Sequence, residues 1–329
     1  MTSTISNCEI GDLRLVDRLR RIFPDSPLRL GVDCLRLGDR SIPITNGILR
    51  FRTGDGYNAS FARQWHKFAR EQIDAVNGTS LTRDRFLRET EWRLEDLRGE
   101  LVLEAGCGAG RFTTLLAESG AELVSFDYST AVDVAAANLG EGSGAIFLQA
   151  DILDMPFRAG AFDRVFCHGV LQHTPDPAAA FRALDRVLRP GGRISVDVYL
   201  KDGKIQPWKA KYLWRPLTTR IEPERLLAFL EWFIPKWLPL DTAIKRIPFF
   251  GRYLGAIVPC FNYFYTDLGR AERRRWAIMD TFDALAPAYD IPVTLDAVRG
   301  WFRAAGYRDF IVREGGNGVV GNGRKPLDP

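Results

Sequence analysis

From position 102 the chain reads Val-Leu-Glu-Ala-Gly-Cys-Gly-Ala-Gly-Arg-Phe112, an apolar run that gives way to glycines at 106, 108 and 110. Glycine lets the backbone turn tightly and brings amide N–H groups close to a ligand, and a helix opening behind such a turn adds positive potential. The spacing is GxGxG, without the third glycine of the dinucleotide fingerprint, because Arg111 to Thr113 already run into the helix; a pyrophosphate is therefore disfavoured. Asp127 closes the next apolar run, 17 residues after Gly110, where a carboxylate can accept both hydroxyl protons of a ribose, as it also does in NAD-binding sheets. Asp151, in Gln149-Ala-Asp-Ile152, closes the third run, placed for an adenine amino group with Ile152 against the ring. Each aspartate equally suits a helix cap or a turn. Of three histidines, His168 and His173 fall in or beside the loop after the fourth run, where a general base belongs. His173 is the first candidate for that role; next to Thr174-Pro175-Asp176 it also fits a helix-entry residue bonded to backbone. His66 reads as a solvent-facing helical residue, and Phe61 and Trp65 as core packing or as a cover closing over the bound ligand.

These residues need a sheet to position them. Between 100 and 200, strand-length apolar runs at 101–104, 122–127, 145–149, 163–168 and 193–199 alternate with helical patterns, the signature of βαβ units and a parallel sheet. Phe112, Leu115 and Leu116 mark one helix; Val132, Ala135, Ala136 and Leu139 mark a second. Asp176-Pro177 caps a third, which carries Phe181, Leu184, Val187 and Leu188 and ends at Pro190-Gly191-Gly192. Around this core (99–200), four further segments are expected. Residues 1–56, punctuated by Gly38-Asp39, Asn46-Gly47 and Gly54-Asp55-Gly56, form a small β-rich appendage. Residues 57–98 form a helical lid: one amphipathic helix on Phe61, Trp65, Phe68, Ile73 and Val76 ending at Asn77-Gly78, and an Arg-rich helix over 82–97. Residues 201–290 form a helical cap insertion, and residues 291–329 supply a helix at 295–305 and a terminal hairpin from 308–313 and 317–321.

Composition bounds the function. The 329 residues are 46% hydrophobic and 26% charged, enough for a sizeable core, and the net charge of +4 is too small to argue for nucleic-acid binding. Five cysteines at 8, 34, 107, 167 and 260 form no CxxC pair, so neither a disulfide framework nor a zinc site is indicated, and a reducing cytoplasm fits best. Met1 to Asn7 lacks a basic start and an apolar core, so a secretory signal is not expected. The most apolar stretch, Tyr253 to Thr266, has 14 uncharged residues, fewer than the roughly 20 of a spanning helix. The cap tryptophans Trp208, Trp214, Trp232 and Trp237, interspersed with Lys and Arg, suit ordinary cap packing, an interfacial surface in peripheral membrane contact, or the lining of a pocket for a bulky acceptor. Tyr265, Asp280 and Tyr289 are cap residues able to face that acceptor.

In order, Val102 to Phe112, Ser125 to Ser129, Leu148 to Phe157, Phe162 to Asp176 and Arg186 to Arg193 resemble the successive motifs of class I S-adenosylmethionine-dependent methyltransferases. Trp301 to Tyr307 resembles that family's last helix, and Tyr57 to Gln72 the lid helix of its small-molecule members. The resemblance implies a Rossmann-like seven-stranded α/β sheet, with Glu104, Gly106 and Gly108 on the methionyl part and Asp127 on the ribose. It further implies Asp151 and Ile152 on the adenine, His168 and Gly169 near the transferring methyl, and Cys107, Gly110 and Tyr128 completing the cofactor-binding set. The Asn-Pro-Pro-Tyr type of motif of DNA-base methyltransferases is absent after the fourth strand, where Cys167-His-Gly-Val-Leu-Gln-His173 stands. Ile42 to Ile48 loosely resembles a zinc-ribbon module, but with Cys34 alone nearby no metal is expected. The expected reaction is methyl transfer to an oxygen or nitrogen of a small molecule, sugar or lipid-linked acceptor. An NAD-dependent oxidoreductase and a non-catalytic S-adenosylmethionine-binding partner module remain open alternatives, and the sequence leaves the oligomeric state undetermined.

Overall fold

A computed structural model describes residues 13–24, 27–140, 142–203, 207–266 and 268–327. The expectation for Met1 to Asn7, Cys8 and the side chain of Trp208 lie outside the described residues.

Eleven strands form one sheet: β1 (Leu28–Leu30), β2 (Cys34–Leu37), β3 (Arg40–Thr45), β4 (Ile48–Arg50), β5 (Leu101–Ala105), β6 (Glu122–Asp127), β7 (Ile146–Gln149), β8 (Phe162–Cys167), β9 (Leu188–Val198), β10 (Asp309–Gly315) and β11 (Gly318–Arg324). Seven of them run in the spatial order β7-β6-β5-β8-β9-β11-β10, which is the expected Rossmann-like sheet. Strands β5 to β9 are parallel, and β11 returns antiparallel on β9 with Val320 opposite Asp197. Central parallel strands are covered on both faces, so β5 is buried at every residue of Leu-Val-Leu-Glu-Ala. That is why its sequence shows a continuous apolar run and not an alternation.

The sheet exceeds the seven strands expected. Strands β1 to β4 form an antiparallel meander whose last member docks parallel on β7, with Leu49 opposite Leu148. The segment read as an appendage therefore continues the main sheet and covers an edge of β7 that would otherwise present unpaired backbone groups. It also contains helix α1 (Leu13–Ile22), which the strand-and-turn reading of 1–56 omits; Leu19, Ile22 and the following Phe23 are buried in the main core.

The remaining helices are α2 (Ala59–Lys67), α3 (Asp74–Asn77), α4 (Leu81–Thr90), α5 (Arg111–Glu118), α6 (Ala131–Leu139), α7 (Pro177–Val187), α8 (Lys211–Thr218), α9 (Pro223–Lys245), α10 (Gly251–Ala256), α11 (Arg270–Leu285) and α12 (Leu295–Ala304). The lid is less continuous than the periodicity implies. Its first helix ends at Lys67, because Phe68 leaves helical geometry at ψ 48°, and α3 starts at Asp74 after six intervening residues. The Arg-rich helix stops at Thr90 because Glu91 adopts a left-handed φ of 60°. Helix α7 gives way at Leu188 directly to β9, so Pro190 and the two glycines after it lie in the strand.

The cap contains no strand among the described residues. Helix α9 runs 23 residues through Pro235 and Pro239, each of which removes one backbone donor, and it survives because Leu226, Leu227, Leu230 and Ile234 are buried against α11. The core it shares with Trp276, Met279 and Phe282 also includes Phe68 and Trp65 of the lid segment. Lid and cap are further tied by Arg63–Glu224 at 3.1 Å and Lys67–Glu231 at 2.9 Å, both exposed pairs of modest worth. The cap packs on the lid, and the two roof the carboxyl ends of the strands. Among the described residues, no helix is long and apolar enough to cross a membrane.

Candidate functional site

A cavity of about 1240 Å³ lies at the carboxyl ends of β5, β6 and β8, walled by the lid and cap and partly open to solvent. Ligands of open α/β sheets occupy this position. Gly106, Cys107, Gly108, Asp127, Tyr128, Ile152, His168, Gly169 and His173 all line it. Glu104 and Gly110 do not, and Asp151 opens into a neighbouring pocket of about 650 Å³ that shares Tyr128 as a wall.

The glycine turn is demanded by geometry. Gly106 sits at φ 78°, and a Cβ there would lie 2.3 Å from Cγ2 of Val170. Gly108 sits at φ 53° with Trp65 of α2 3.0 Å from the position of a Cβ, so the lid helix presses directly on the turn. Gly110 at φ 87° starts α5 and faces the backbone of Ala135. Its role is close helix packing behind the cavity.

Asp127 is buried at the end of β6. Its Oδ2 accepts the Gly108 N–H at 2.9 Å, and its Oδ1 accepts the Ser129 N–H and hydroxyl at 2.8 and 2.7 Å. Burial raises its pKa despite those three donors. With about four acceptor directions on a carboxylate, three are filled and one remains at Oδ2, so the expected grip on two ribose hydroxyls narrows to one contact. Glu104, expected on the methionyl part, lies under the turn instead, accepting the Thr113 and Ser125 hydroxyls at 2.6 and 2.7 Å. Burial, with Asp127 adding to it, pushes its carboxyl up to about 7. Asp151 caps a short turn by accepting the Leu153 N–H at 2.8 Å. The wall beside Ile152 is aromatic: Tyr57 and Tyr128 rings lie 4.2 Å apart, and the Arg52 guanidinium sits 3.3 Å over Tyr128. Burial and nearby Asp151 raise the Tyr57 pKa.

His168 leaves β8 stacked on Phe166 at 4.4 Å, with Nε2 2.8 Å from the Ser195 hydroxyl. Its Nδ1 faces Glu89 at 3.5 Å and Asp197 at 3.6 Å. These three offer ligand atoms within metal-binding reach of one another, but Arg85 already bridges the two carboxylates at 3.1 and 2.6 Å. Hydrogen bonding to His168 and the charge of Arg85 hold the Glu89 carboxyl well below its usual range, although burial opposes this. Asp197 also accepts the Gly169 N–H, which fixes the backbone where β8 turns into the cavity. His168 is thus one member of a network with Arg85, Glu89, Asp197 and Ser195.

His173 is buried, and its ring meets Phe61 edge-on at 4.7 Å and Tyr199 at 5.5 Å. Nδ1 donates to the Tyr289 carbonyl at 2.9 Å, which leaves Nε2 as the acceptor. Burial pushes its pKa down to about 4, so the ring is neutral near pH 7. Both readings of this residue persist in one geometry: it is bonded to backbone, and it lines the cavity.

The cap adds Asp283 and Lys211, which the sequence reading does not single out, beside Asp280 and Tyr265, which it does. Asp280 and Asp283, one turn apart on α11, both line the cavity and are only partly covered. Burial, then the charge of Asp283, pushes Asp280 up to about 8; burial pushes Asp283 up to about 6. Lys211, also in the wall, pairs with Asp290 at 2.6 Å and lies 4.2 Å over the Tyr199 ring. Tyr265 lines the cavity; Tyr289 meets Tyr57 at 5.2 Å. None of Trp214, Trp232 and Trp237 lines it: Trp214 donates to Ile257, Trp232 is exposed, and Trp237 packs in the cap core. Asp197, an acid inside an apolar strand, carried a legible signal of this network. Glu89, on a helix crowded with charges, carried none.

Residues 103–196 match the family model described as "Methyltransferase domain". The ubiquinone biosynthesis O-methyltransferase of Xanthomonas oryzae pv. oryzae is 35% identical over 102 residues, covering 30% of this chain and 43% of that protein. The demethylmenaquinone methyltransferase of Lactococcus lactis subsp. lactis is 34% identical over 117 residues, covering 34% and 46%. The match therefore spans less than half the length of either relative, and the residues matched by the family model lie in the sheet core, not in the lid or cap. Among solved structures, the 1,6-didemethyltoxoflavin-N1-methyltransferase of Burkholderia thailandensis is 15% identical with a TM-score of 0.44, covering 92% of this chain and all of that one.

Proposed function

We propose that this chain, whose residues 103–196 are a class I S-adenosylmethionine-dependent methyltransferase domain, transfers a methyl group to an oxygen, or a nitrogen, of a small molecule held under the cap. The observation that carries the proposal is the bond from the Gly108 N–H to Asp127, which joins the glycine turn of one strand end to the acid of the next at the cavity floor. The residues fit a nucleoside methyl donor: the turn keeps Cβ atoms out of a tight space, Asp127 retains an acceptor direction, and Ile152 with Tyr128 offers an apolar and aromatic wall. S-adenosylmethionine supplies a methyl group on a positively charged sulfur. The chain's own part is to hold the acceptor atom in line and exclude water, with the lid pressed on the turn through Trp65 and the cap above.

A hydroxyl acceptor must also lose a proton. His173 offers a neutral Nε2 oriented by the Tyr289 carbonyl, and Asp283 offers a carboxyl near 6, closer to working pH than the His173 value near 4. The relatives' names support small-molecule oxygen acceptors, since one is an O-methyltransferase of ubiquinone biosynthesis. An NAD-dependent oxidoreductase is the weaker reading because the loop lacks the third glycine of the dinucleotide fingerprint. Incubation with radiolabelled S-adenosylmethionine and a panel of phenolic, quinol-type and sugar acceptors tests the proposal. Label transfer is the expected result; binding of the donor without transfer to any acceptor would favour a non-catalytic module.

A further inference from the structure

Helix α10 is inside out. Its small face packs inward: a Cβ on Gly251 would lie 2.3 Å from the Ile244 carbonyl of α9, and one on Gly255 would lie 2.6 Å from Cγ of Lys245. Its bulky face points to solvent. Phe250, Tyr253, Leu254 and Ile257, spaced i, i+3, i+4 and i+7, form the stripe that a surface helix normally buries, yet all are exposed, Phe250 at 72%. The preceding turn adds Phe249, 90% exposed and held at a left-handed φ of 64°. Single exposed apolar residues are ordinary; a contiguous aromatic and aliphatic ridge of this kind marks a contact surface.

Charge selects the occupant. Residues 242–266 contain Lys245, Arg246 and Arg252 and no aspartate or glutamate. Lys245 is engaged with Asp241, whereas Arg246 and Arg252 have no ion pair among the described residues. An apolar ridge flanked by unpaired arginines, on a short helix lying along the protein surface, matches the interface of an anionic bilayer: apolar side chains enter the acyl boundary and cations meet headgroups. The ridge is also continuous with the cavity, since Arg252, Tyr253 and Ala256 line its wall. We propose that the α10 ridge docks this protein peripherally on an anionic lipid surface, with the cavity mouth facing the bilayer. Under the methyl-transfer reading, on which this last clause alone rests, the acceptor is an amphipathic molecule drawn from the membrane.

The test is co-sedimentation of the full chain with phosphatidylcholine vesicles, with and without phosphatidylglycerol. Wild type is expected to bind only the anionic vesicles and to be released by salt. Phe249→Ser/Phe250→Ser/Leu254→Ser is expected to lower partitioning by more than about 30-fold, and Arg246→Gln by about fivefold. These side chains are exposed, so an unchanged melting temperature shows the variants are folded, and S-adenosylhomocysteine affinity separates failure of docking from failure of the donor site. Equal partitioning of wild type and the triple variant would overturn the proposal. So would self-association in sedimentation velocity that the triple variant abolishes, which would make a second copy of the chain the occupant.

Discussion

Gly106→Ala tests the turn at the cavity floor in two separable parts. The φ of 78° costs an alanine about 1–2 kcal/mol, and the new Cβ, 2.3 Å from Cγ2 and 2.9 Å from Cγ1 of Val170, adds an overpacking cost of about 1–3 kcal/mol. Together they amount to about 2–5 kcal/mol of stability, and a displaced turn should weaken S-adenosylhomocysteine binding by at least about tenfold. Val170→Ala removes both clashing atoms and leaves Val170 Cβ as the nearest, at 3.1 Å. The double variant should therefore recover the steric part and keep the backbone part. Urea unfolding of wild type, both single variants and the double, with calorimetric titration of each, gives the cycle. The reasoning fails if the two substitutions are additive within about 0.5 kcal/mol, or if Gly106→Ala binds the ligand as wild type does.

The other expectations concern titrating groups. His173 has a folded pKa near 4 against an ordinary 6.5, so the unfolded chain takes its proton first as pH falls; stability is complete above 6.5 and about 3 kcal/mol is lost by pH 4. His173→Asn should flatten that part of the stability profile, and if the ring is the base it should also cut turnover by about 10²-fold with donor affinity retained. Asp280 is pushed the other way, up to about 8, so the folded state holds its proton more tightly and stability falls as pH rises from 3.8 through 8; Asp280→Asn should remove that decline in thermal melts. If the Asp283 carboxylate takes the acceptor's proton, the acid limb of kcat should lie near pH 6 and disappear in Asp283→Asn. An unchanged limb in that variant would assign the titration elsewhere.

The strands from Leu101 to Val198 were legible because strands buried on both faces are largely apolar, and tight turns at positive φ favour glycine, as at 106 and 108. The strand ends then located Asp127, Ile152 and His168 in one cavity. What the local pattern hid falls into two kinds. Arg85 and Glu89 meet Asp197, and Asp283 reaches the cavity, only when the lid, β9 and the cap fold together; Asp197 alone stood out, as an acid inside an apolar strand, and no spacing along the chain records the encounter. The cap also inverts the usual rules: α9 runs through two prolines, and α10 packs on glycines while its apolar stripe faces out. Helix α1 is a different case, since Leu19, Ile22 and Phe23 carry a regular helical signal that the glycine-punctuated strands downstream overshadowed.

The central claim is that the turn at Gly106–Gly108 and Asp127 hold a methyl donor and not a dinucleotide. Calorimetric titration of the wild-type chain with S-adenosylhomocysteine and with NADH, repeated on Asp127→Ala, measures this directly. Binding of S-adenosylhomocysteine alone, weakened at least about tenfold in a variant that remains folded, is the expected result. Binding of NADH alone, or affinity for S-adenosylhomocysteine that is indifferent to Asp127, would contradict it.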